Sequence, residues 1–367
     1  MERHNNFDAL RLVAAASVIF SHAYLIGEGR QDGEPLMRLT GGQTILGVVG
    51  VFVFFTISGF LVTQSFEATG SALRFAAKRA LRIYPGLLLC LLLCAFALGP
   101  LVSSLAAGQY FQGSGAYLFT LSNFTMLDPT RALPGVWFTK WDAGGVVNGP
   151  LWTLPCEVLM YLMVLALGLL RALVLPVLLG LLFLGLGGIW FDTASSEYVS
   201  GSALWLLSFF AAGMILYRLR ARGILDGRLA LLACAGLALS IPLKAFILLF
   251  PIFGSYLVLY LALARWLPPL PAARFGDLSY GLYIYGWPVE QTLTQLNGGA
   301  MAPLTLTALA LPITAVLAFL SWHLVEKCAL RLKPRSLRNT AVEPDSPDSV
   351  VRHGFLGPRP SRRQPQA

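Results

Sequence analysis

Two ionisable side chains near the N-terminus, Arg11 and His22, have a spacing that suits chemistry. They lie eleven residues apart inside an apolar run that extends from about 8 to 27. In an α-helix, eleven residues make about three turns, so both side chains face the same way and lie ~16 Å apart along the axis. Such a helix presents a fixed cation near one end and a titratable base near the other. Charged groups inside an apolar span are costly, which makes them functional candidates.

Each of these residues also has a purely structural explanation. Arg11 could form an ion pair with Asp8 at i, i+3 on the same helix, and His22 could bond to a backbone carbonyl near the membrane surface. The shared helix face favours a chemical role for His22 as a base.

Glu157 is the candidate carboxylate partner of His22. Its span starts near Pro150 on the predicted outer side, which places Glu157 ~10 Å deep, compared with ~7 Å for His22. A carboxylate beside an imidazole orients the ring and raises its basicity. The alternative is a hydrogen bond between Glu157 and a Tyr or Trp of a neighbouring helix, and the sequence gives the two interpretations equal weight.

Arg79 and Arg82 form a second candidate group. Their i, i+3 spacing lets both side chains face one way at the end of a helix. Two forked guanidinium groups suit the oxygens of phosphates. The alternative is ordinary anchoring by basic residues at the cytoplasmic end of a span.

The composition indicates which elements position these residues. Of the 367 residues, 56% are hydrophobic and 12% are charged, against roughly 25% charged in a typical soluble domain. This excludes a soluble globular protein and a disordered one. Apolar windows of ~19 residues predict an all-α, polytopic transmembrane bundle of about ten spanning helices. The predicted spans are 8–27, 44–64, 82–105, 150–170, 173–191, 202–218, 228–243, 245–264, 279–297 and 304–325.

The apolar stretch 114–127 is too short to be counted with these spans. It predicts an interfacial or re-entrant segment, with an eleventh span as the alternative. The five cysteines include no CxxC pair, so the sequence predicts neither a disulfide framework nor a metal site.

The basic residues predict the orientation. With the N-terminus in the cytoplasm, 21 of the 27 Lys and Arg residues fall on the cytoplasmic side and five on the outer side, as the positive-inside rule requires. Both termini are therefore expected in the cytoplasm. The net charge of +9 reflects topology, and no nucleic-acid partner is expected. Residues 1–333 form the predicted membrane domain, and the Pro-rich segment 334–367 reads as a disordered cytoplasmic tail.

Several stretches, taken in order, resemble acyltransferase family 3, the bacterial integral-membrane O-acyltransferases of surface polysaccharides. The likeness covers about 7 to 330. The stretches are Asp8-Ala9-Leu10-Arg11 followed by His22, Gly50 to Leu61, Arg79-x-x-Arg82 with Tyr84-Pro85, Asn148 to Tyr161, Ser279 to Tyr283, and Val325-Glu326-Lys327.

The resemblance implies an enzyme of the plasma (inner) membrane. It moves an acyl group, with acetyl expected, from cytoplasmic acyl-CoA to a hydroxyl of a glycan or lipid-linked saccharide outside, and acyl-CoA is a donor substrate and not a permanently bound cofactor. On this resemblance, Arg79 and Arg82 are expected to hold the coenzyme A phosphates, and Arg11 is expected to support the donor. His22 then acts as general base or carries the acyl group, and Glu157 orients it.

Two positions depart from the family pattern. Many members have a His where this chain has Gly286, and Cys328 replaces the usual Pro after the last Glu-Lys. His22 is therefore the candidate base on the outer side. A non-enzymatic transporter or flippase of a glycan is the competing hypothesis, and an acyltransferase acting on a lipid or peptide is a third.

Overall fold

Helices make up the regular structure of the computed structural model, which describes residues 5–127, 129–194, 203–264, 266–268, 270 and 274–332. No β-strand occurs within these ranges. The α-helices are α1 (Phe7–Glu28), α2 (Pro35–Leu39), α3 (Leu46–Thr69), α4 (Ala72–Leu92), α5 (Gly99–Val102), α6 (Ala107–Gln112), α7 (Gly115–Thr125), α8 (Thr153–Leu169), α9 (Leu175–Ala194), α10 (Ala203–Leu219), α11 (Gly227–Ser240), α12 (Phe246–Leu263), α13 (Ser279–Leu296), α14 (Pro303–Ser321) and α15 (Lys327–Arg331). Short π-helical turns join α4 to α5 (Leu93–Leu98) and α14 to α15 (Trp322–Glu326), and 3-10 turns cover Asp142–Gly145, Gly149–Trp152 and Arg220–Arg222.

Among the described residues, eight helices or continuous helix runs are long and apolar enough to cross a membrane. They match eight of the ten predicted spans and confirm an all-α, polytopic helix bundle. The other two predicted spans are also helical. α11 has only 14 residues, short of the ~20 that a bilayer needs. α13 has 18 residues but is more polar. The exact number of spans and the side of each terminus stay predictions.

Helix α13 tolerates its polar residues because other helices surround it. Every residue from Ser279 to Pro288 is buried. Its tyrosine hydroxyls bond to neighbouring helices: Tyr280 donates to the Ile83 carbonyl at 2.8 Å, and the Tyr285 hydroxyl lies 3.1 Å from that of Ser321. A polar helix that is buried in this way contacts protein and not lipid. A criterion based on hydropathy alone therefore does not count it as a membrane span.

The short apolar segment 114–127 contains α7, whose 11 residues extend only ~16 Å. The helix packs along α4 and the π-helical turn that follows it, with Phe124 against Tyr84 at 5.2 Å and Tyr117 against Phe96 at 5.4 Å between ring centroids. α7 is therefore too short to cross a bilayer by itself. Its placement as an interfacial or a re-entrant segment stays a prediction.

Small residues let the central helices approach closely. A Cβ at Gly59 of α3 would overlap the carbonyl oxygen of Phe210, and one at Gly213 of α10 would overlap that of Thr56. Such contacts between small residues are a common basis of helix association in membranes.

The described residues belong to one compact unit. The predicted tail, 334–367, lies outside the described residues.

Candidate functional site

A small cleft of about 40 Å³ lies among α1, α3, α4, α8 and α13. Three charged side chains line it: Arg11 from α1, Arg82 from α4 and Glu157 from α8. Its remaining walls are mostly apolar and aromatic, including Phe54 and Tyr283. The structure thus brings three of the predicted site residues to one cavity.

Arg11 and Arg82 share one carboxylate, that of Asp277, just before α13. Oδ2 of Asp277 lies 3.2 Å from Nη1 of Arg11 and 2.6 Å from Nη2 of Arg82. No ion pair joins Arg11 to Asp8 within the described part of the chain, so the pairing at i, i+3 considered from sequence does not form. Because charge-assisted contacts of this kind are directional, Asp277 fixes where both guanidinium groups lie.

The electrostatics of Asp277 follow from its surroundings. Burial acts to raise the pKa of its carboxyl group. The guanidinium groups of Arg82 and Arg11 and hydrogen bonds from Ser279 outweigh burial and hold the pKa well below the ordinary value of 3.8. Asp277 is therefore a carboxylate at any physiological pH.

Arg79 occupies a different position from Arg82. Its guanidinium lies over the Tyr161 ring, 5.7 Å from the centroid, and donates from Nη2 to the Ser65 hydroxyl at 3.4 Å. Its Nε is buried and has no hydrogen-bond partner among the described residues. The two arginines are neighbours on α4, but Arg82 faces the cleft whereas Arg79 packs between α3 and α8.

Glu157 lines the same cleft as Arg11 and Arg82, and the structure does not bring it to His22. Its Oε1 accepts a hydrogen bond from Tyr161, one turn later on α8. The described residues contain no hydrogen bond between Glu157 and His22. Of the alternatives left open by the sequence, the structure shows a tyrosine partner, although from the same helix.

The turn before α8 is level with His22, because Gly149 lies against the same Trp287 ring on which His22 packs. Nδ2 of Asn148 donates to the carbonyl of Ile284 at 2.8 Å, and the Thr153 hydroxyl lies 2.8 Å from that of Tyr283. The chain then runs from Thr153 to Glu157 towards Arg79. His22 contacts α13 on the other side of Tyr283, so the carboxylate and the imidazole are separated by on the order of 10 Å along the bundle.

His22 packs on Trp287 of α13, with ring centroids 4.8 Å apart and an interplanar angle of 79°. Its Nδ1 is buried without a hydrogen-bond partner in the described part of the chain. Beside it, Gly286 allows α1 to approach closely, because a Cβ there would overlap the Ile19 side chain. The position where many family members carry a second histidine therefore holds a helix contact.

Arg11 and His22 do lie on one face of a continuous helix, as their spacing predicts. Both face the segment that contains α13: Arg11 pairs with Asp277, and His22 packs on Trp287. The site therefore has two parts, ~16 Å apart along α1. The arginine end (Arg11, Arg82, Asp277) suits an anion, and the histidine end (His22, Trp287) offers a base.

The sequence did not single out Asp277 and Tyr161 as site residues. Asp277 lies two residues before the Ser279–Tyr283 stretch, so its place before a span was a usable signal. Glu326, for which a salt bridge at the membrane surface is the simplest expectation from sequence, is buried and accepts from Ser321 at 2.8 Å. It forms no ion pair within the described ranges.

Comparison with known proteins gives the family. The acyltransferase domain family matches residues 4–323. The chain is 31% identical over 342 residues to an O-acetyl transferase of Shigella phage Sf6, covering 89% of this chain and 96% of the relative. It is also 31% identical over 376 residues to nodulation protein 10 of Rhizobium leguminosarum bv. viciae, covering 90% and 94% respectively. No solved structure matches. The chain therefore belongs to acyltransferase family 3 and is a membrane acyltransferase of groups other than amino-acyl groups.

Proposed function

We propose that this protein is a multi-pass enzyme of the bacterial inner membrane that transfers an acetyl group from cytoplasmic acetyl-CoA to a hydroxyl of a glycan or lipid-linked saccharide outside. The observation that carries the proposal is a cleft lined by Arg11 and Arg82 at one end of α1, with His22 on the same face of that helix. The buried Nδ1 of His22 has no hydrogen-bond partner among the described residues. Both termini face the cytoplasm in this proposal, since that orientation puts most basic residues inside.

The arginine end holds the donor. Arg82 and Arg11 face the cleft and supply forked donors for phosphate oxygens of coenzyme A. Arg79 adds positive charge behind Arg82, although it contacts Tyr161 and Ser65. Glu157 lines the same cleft. We therefore propose that it acts in the donor site and not as the partner of His22. The long arm of the donor then extends along α1 towards His22.

His22 is the base of the transfer. It takes the proton of the acceptor hydroxyl while the hydroxyl oxygen attacks the thioester carbonyl. A C–O bond forms, the C–S bond breaks, and coenzyme A leaves as a thiolate that takes up a proton. Transfer by way of an acyl-imidazole uses the same residue as nucleophile.

The test is transfer of label from labelled acetyl-CoA to a crude glycan acceptor in membranes. We expect His22→Ala to lower the rate at least 100-fold, because general base catalysis contributes about that much or more. His323→Ala is the matched control, since His323 bonds to the Phe319 carbonyl far along the chain and its loss is expected to leave transfer intact.

Undiminished transfer in His22→Ala would remove His22 from the mechanism. A wild-type protein that moves glycan across membranes and transfers label from no acyl-CoA would instead be a transporter.

A further inference from the structure

We propose that Asp277 is a positioning residue of the donor site, which holds Arg11 and Arg82 side by side so that their free N–H groups face the cleft. This inference rests on the proposed function, because it assigns Asp277 to the site that binds the acyl donor.

The carboxylate of Asp277 is itself fixed from both sides. Oδ2 accepts from Arg11 and Arg82, and Oδ1 accepts from the Ser279 hydroxyl at 2.6 Å. Ser279 is the first residue of α13, so the group is tied to the start of a buried helix. One rigid carboxylate thereby links α1, α4 and α13.

Charge explains why the two arginines need this residue. Their side chains are 17% and 14% exposed, and that of Asp277 is 18% exposed. Within the described part of the chain, Asp277 is the acidic side chain that forms an ion pair with either arginine. Two guanidinium groups so close together repel each other in a poorly solvated site. With Asp277 between them, the two guanidinium groups can remain adjacent, and each keeps N–H groups that Asp277 does not use.

Among the described residues, hydrogen bonds occupy few of the N–H donors of Arg11 and Arg82. A guanidinium has five N–H donors, and Asp277 uses one nitrogen of each arginine: Nη1 of Arg11 and Nη2 of Arg82. Aromatic rings support both groups, since Arg11 lies 5.9 Å from the Phe54 centroid and Arg82 lies 5.7 Å from that of Tyr280. The remaining N–H groups are available to phosphate oxygens.

The experiment compares Asp277→Asn, Asp277→Glu and Glu67→Gln with wild type in purified, detergent-solubilised protein. Glu67 is a matched control, because its Oε1 pairs with Nη1 of Arg218 at 2.6 Å, a carboxylate–guanidinium contact as short as that of Arg82 but outside the cleft. Two quantities are measured: the Kd of labelled acetyl-CoA, and the KM of donor and acceptor in the transfer assay.

We expect Asp277→Asn to raise the Kd and the donor KM at least tenfold and to leave the acceptor KM unchanged. Asp277→Glu keeps the charge and should recover part of the loss, whereas Glu67→Gln should bind donor as wild type does. A structural role alone would lower the yield of folded protein without changing the Kd of the folded fraction.

Equal Kd values for Asp277→Asn and wild type would overturn the positioning role and leave the proposed function standing. A wild-type protein that binds no acetyl-CoA would overturn both. Binding without transfer to glycan would contradict only the proposed acceptor, and the Kd comparison would still decide the role of Asp277.

Discussion

At the scale of single residues, the site is organised by pairs of side chains that are far apart in sequence. Arg11 and Asp277 are 266 residues apart, and Arg82 and Asp277 are 195 apart. Their contact places charge at one end of α1, whereas His22 lies against Trp287 near the other. In the proposed reaction, anion binding and proton transfer therefore take place at separate positions along the helix.

The Asp277 ion pairs should stabilise the protein at neutral pH and lose that effect only in strong acid. Because the folded-state pKa of Asp277 lies below 3.8, the stabilisation is complete above that value and disappears as the pH falls through the folded-state pKa. Removing one partner of a buried pair costs about 3 kcal/mol. We expect the free energy of unfolding of Asp277→Asn to lie about 3 kcal/mol below that of wild type at pH 8 and at pH 5. This difference in free energy should become smaller below pH 4.

Denaturant unfolding of both proteins in detergent at several pH values measures this difference in free energy. If the difference disappeared between pH 7 and pH 5, the titrating group would not be a carboxylate paired with two arginines.

The sequence predicted the shared face of Arg11 and His22 because helical spacing is a local property. It did not predict the partner of Arg11. The helical spacing suggested Asp8, three residues before Arg11, as its partner. The observed partner, Asp277, is 266 residues away in the chain. Identifying Asp277 from sequence would require knowing that α1 and α13 are neighbours, which no local pattern contains.

At the scale of helices, close packing rests on a few glycines. α3 and α10 touch through Gly59 and Gly213, each facing a carbonyl of the other helix. Since α3 also supplies Phe54 and Phe55 to the cleft, this contact supports one wall of the site.

Replacing either glycine by alanine should push the two helices apart. We expect Gly59→Ala and Gly213→Ala to destabilise the protein by about 1–3 kcal/mol, the usual cost of overpacking. Gly187→Ala is the control, because Gly187 lies in α9 with nothing within 4 Å of the added methyl group, and there alanine should be neutral or stabilising. Thermal unfolding of the three purified variants gives the comparison, and equal Tm values for Gly59→Ala and Gly187→Ala would show that the contact is not tight.

Hydropathy predicted where helices occur better than where they begin. All ten predicted spans are helical, because apolar runs of this length have few other solutions in a bilayer. The sequence placed Glu157 level with His22 by counting residues from an outer surface at Pro150. Asn148 already bonds to Ile284 inside the bundle, and the sequence of the preceding loop gives no measure of how far it re-enters.

At the scale of the whole molecule, the proposed reaction needs the arginine end to face the cytoplasm and the histidine end to face outwards. The distribution of basic residues predicts this orientation, and the structure fixes only the relation of the two ends to each other.

Cysteine accessibility tests the orientation. In a background without the five native cysteines, Arg220→Cys and Arg131→Cys place a thiol at two exposed positions. A membrane-impermeant maleimide applied to intact cells should label position 131, and position 220 should react only after the membrane is opened. The reverse pattern would place the arginine end outside and would exclude a cytoplasmic donor.

The shared carboxylate also has a consequence for how the chain is made. α1 enters the membrane carrying Arg11, but Asp277 is synthesised 266 residues later, a delay on the order of 10–50 s at the usual rates of translation. Until then the first helix carries Arg11 without the ion-pair partner of the finished structure. Chains that end before residue 277 would lack the carboxylate that joins Arg11 to Arg82.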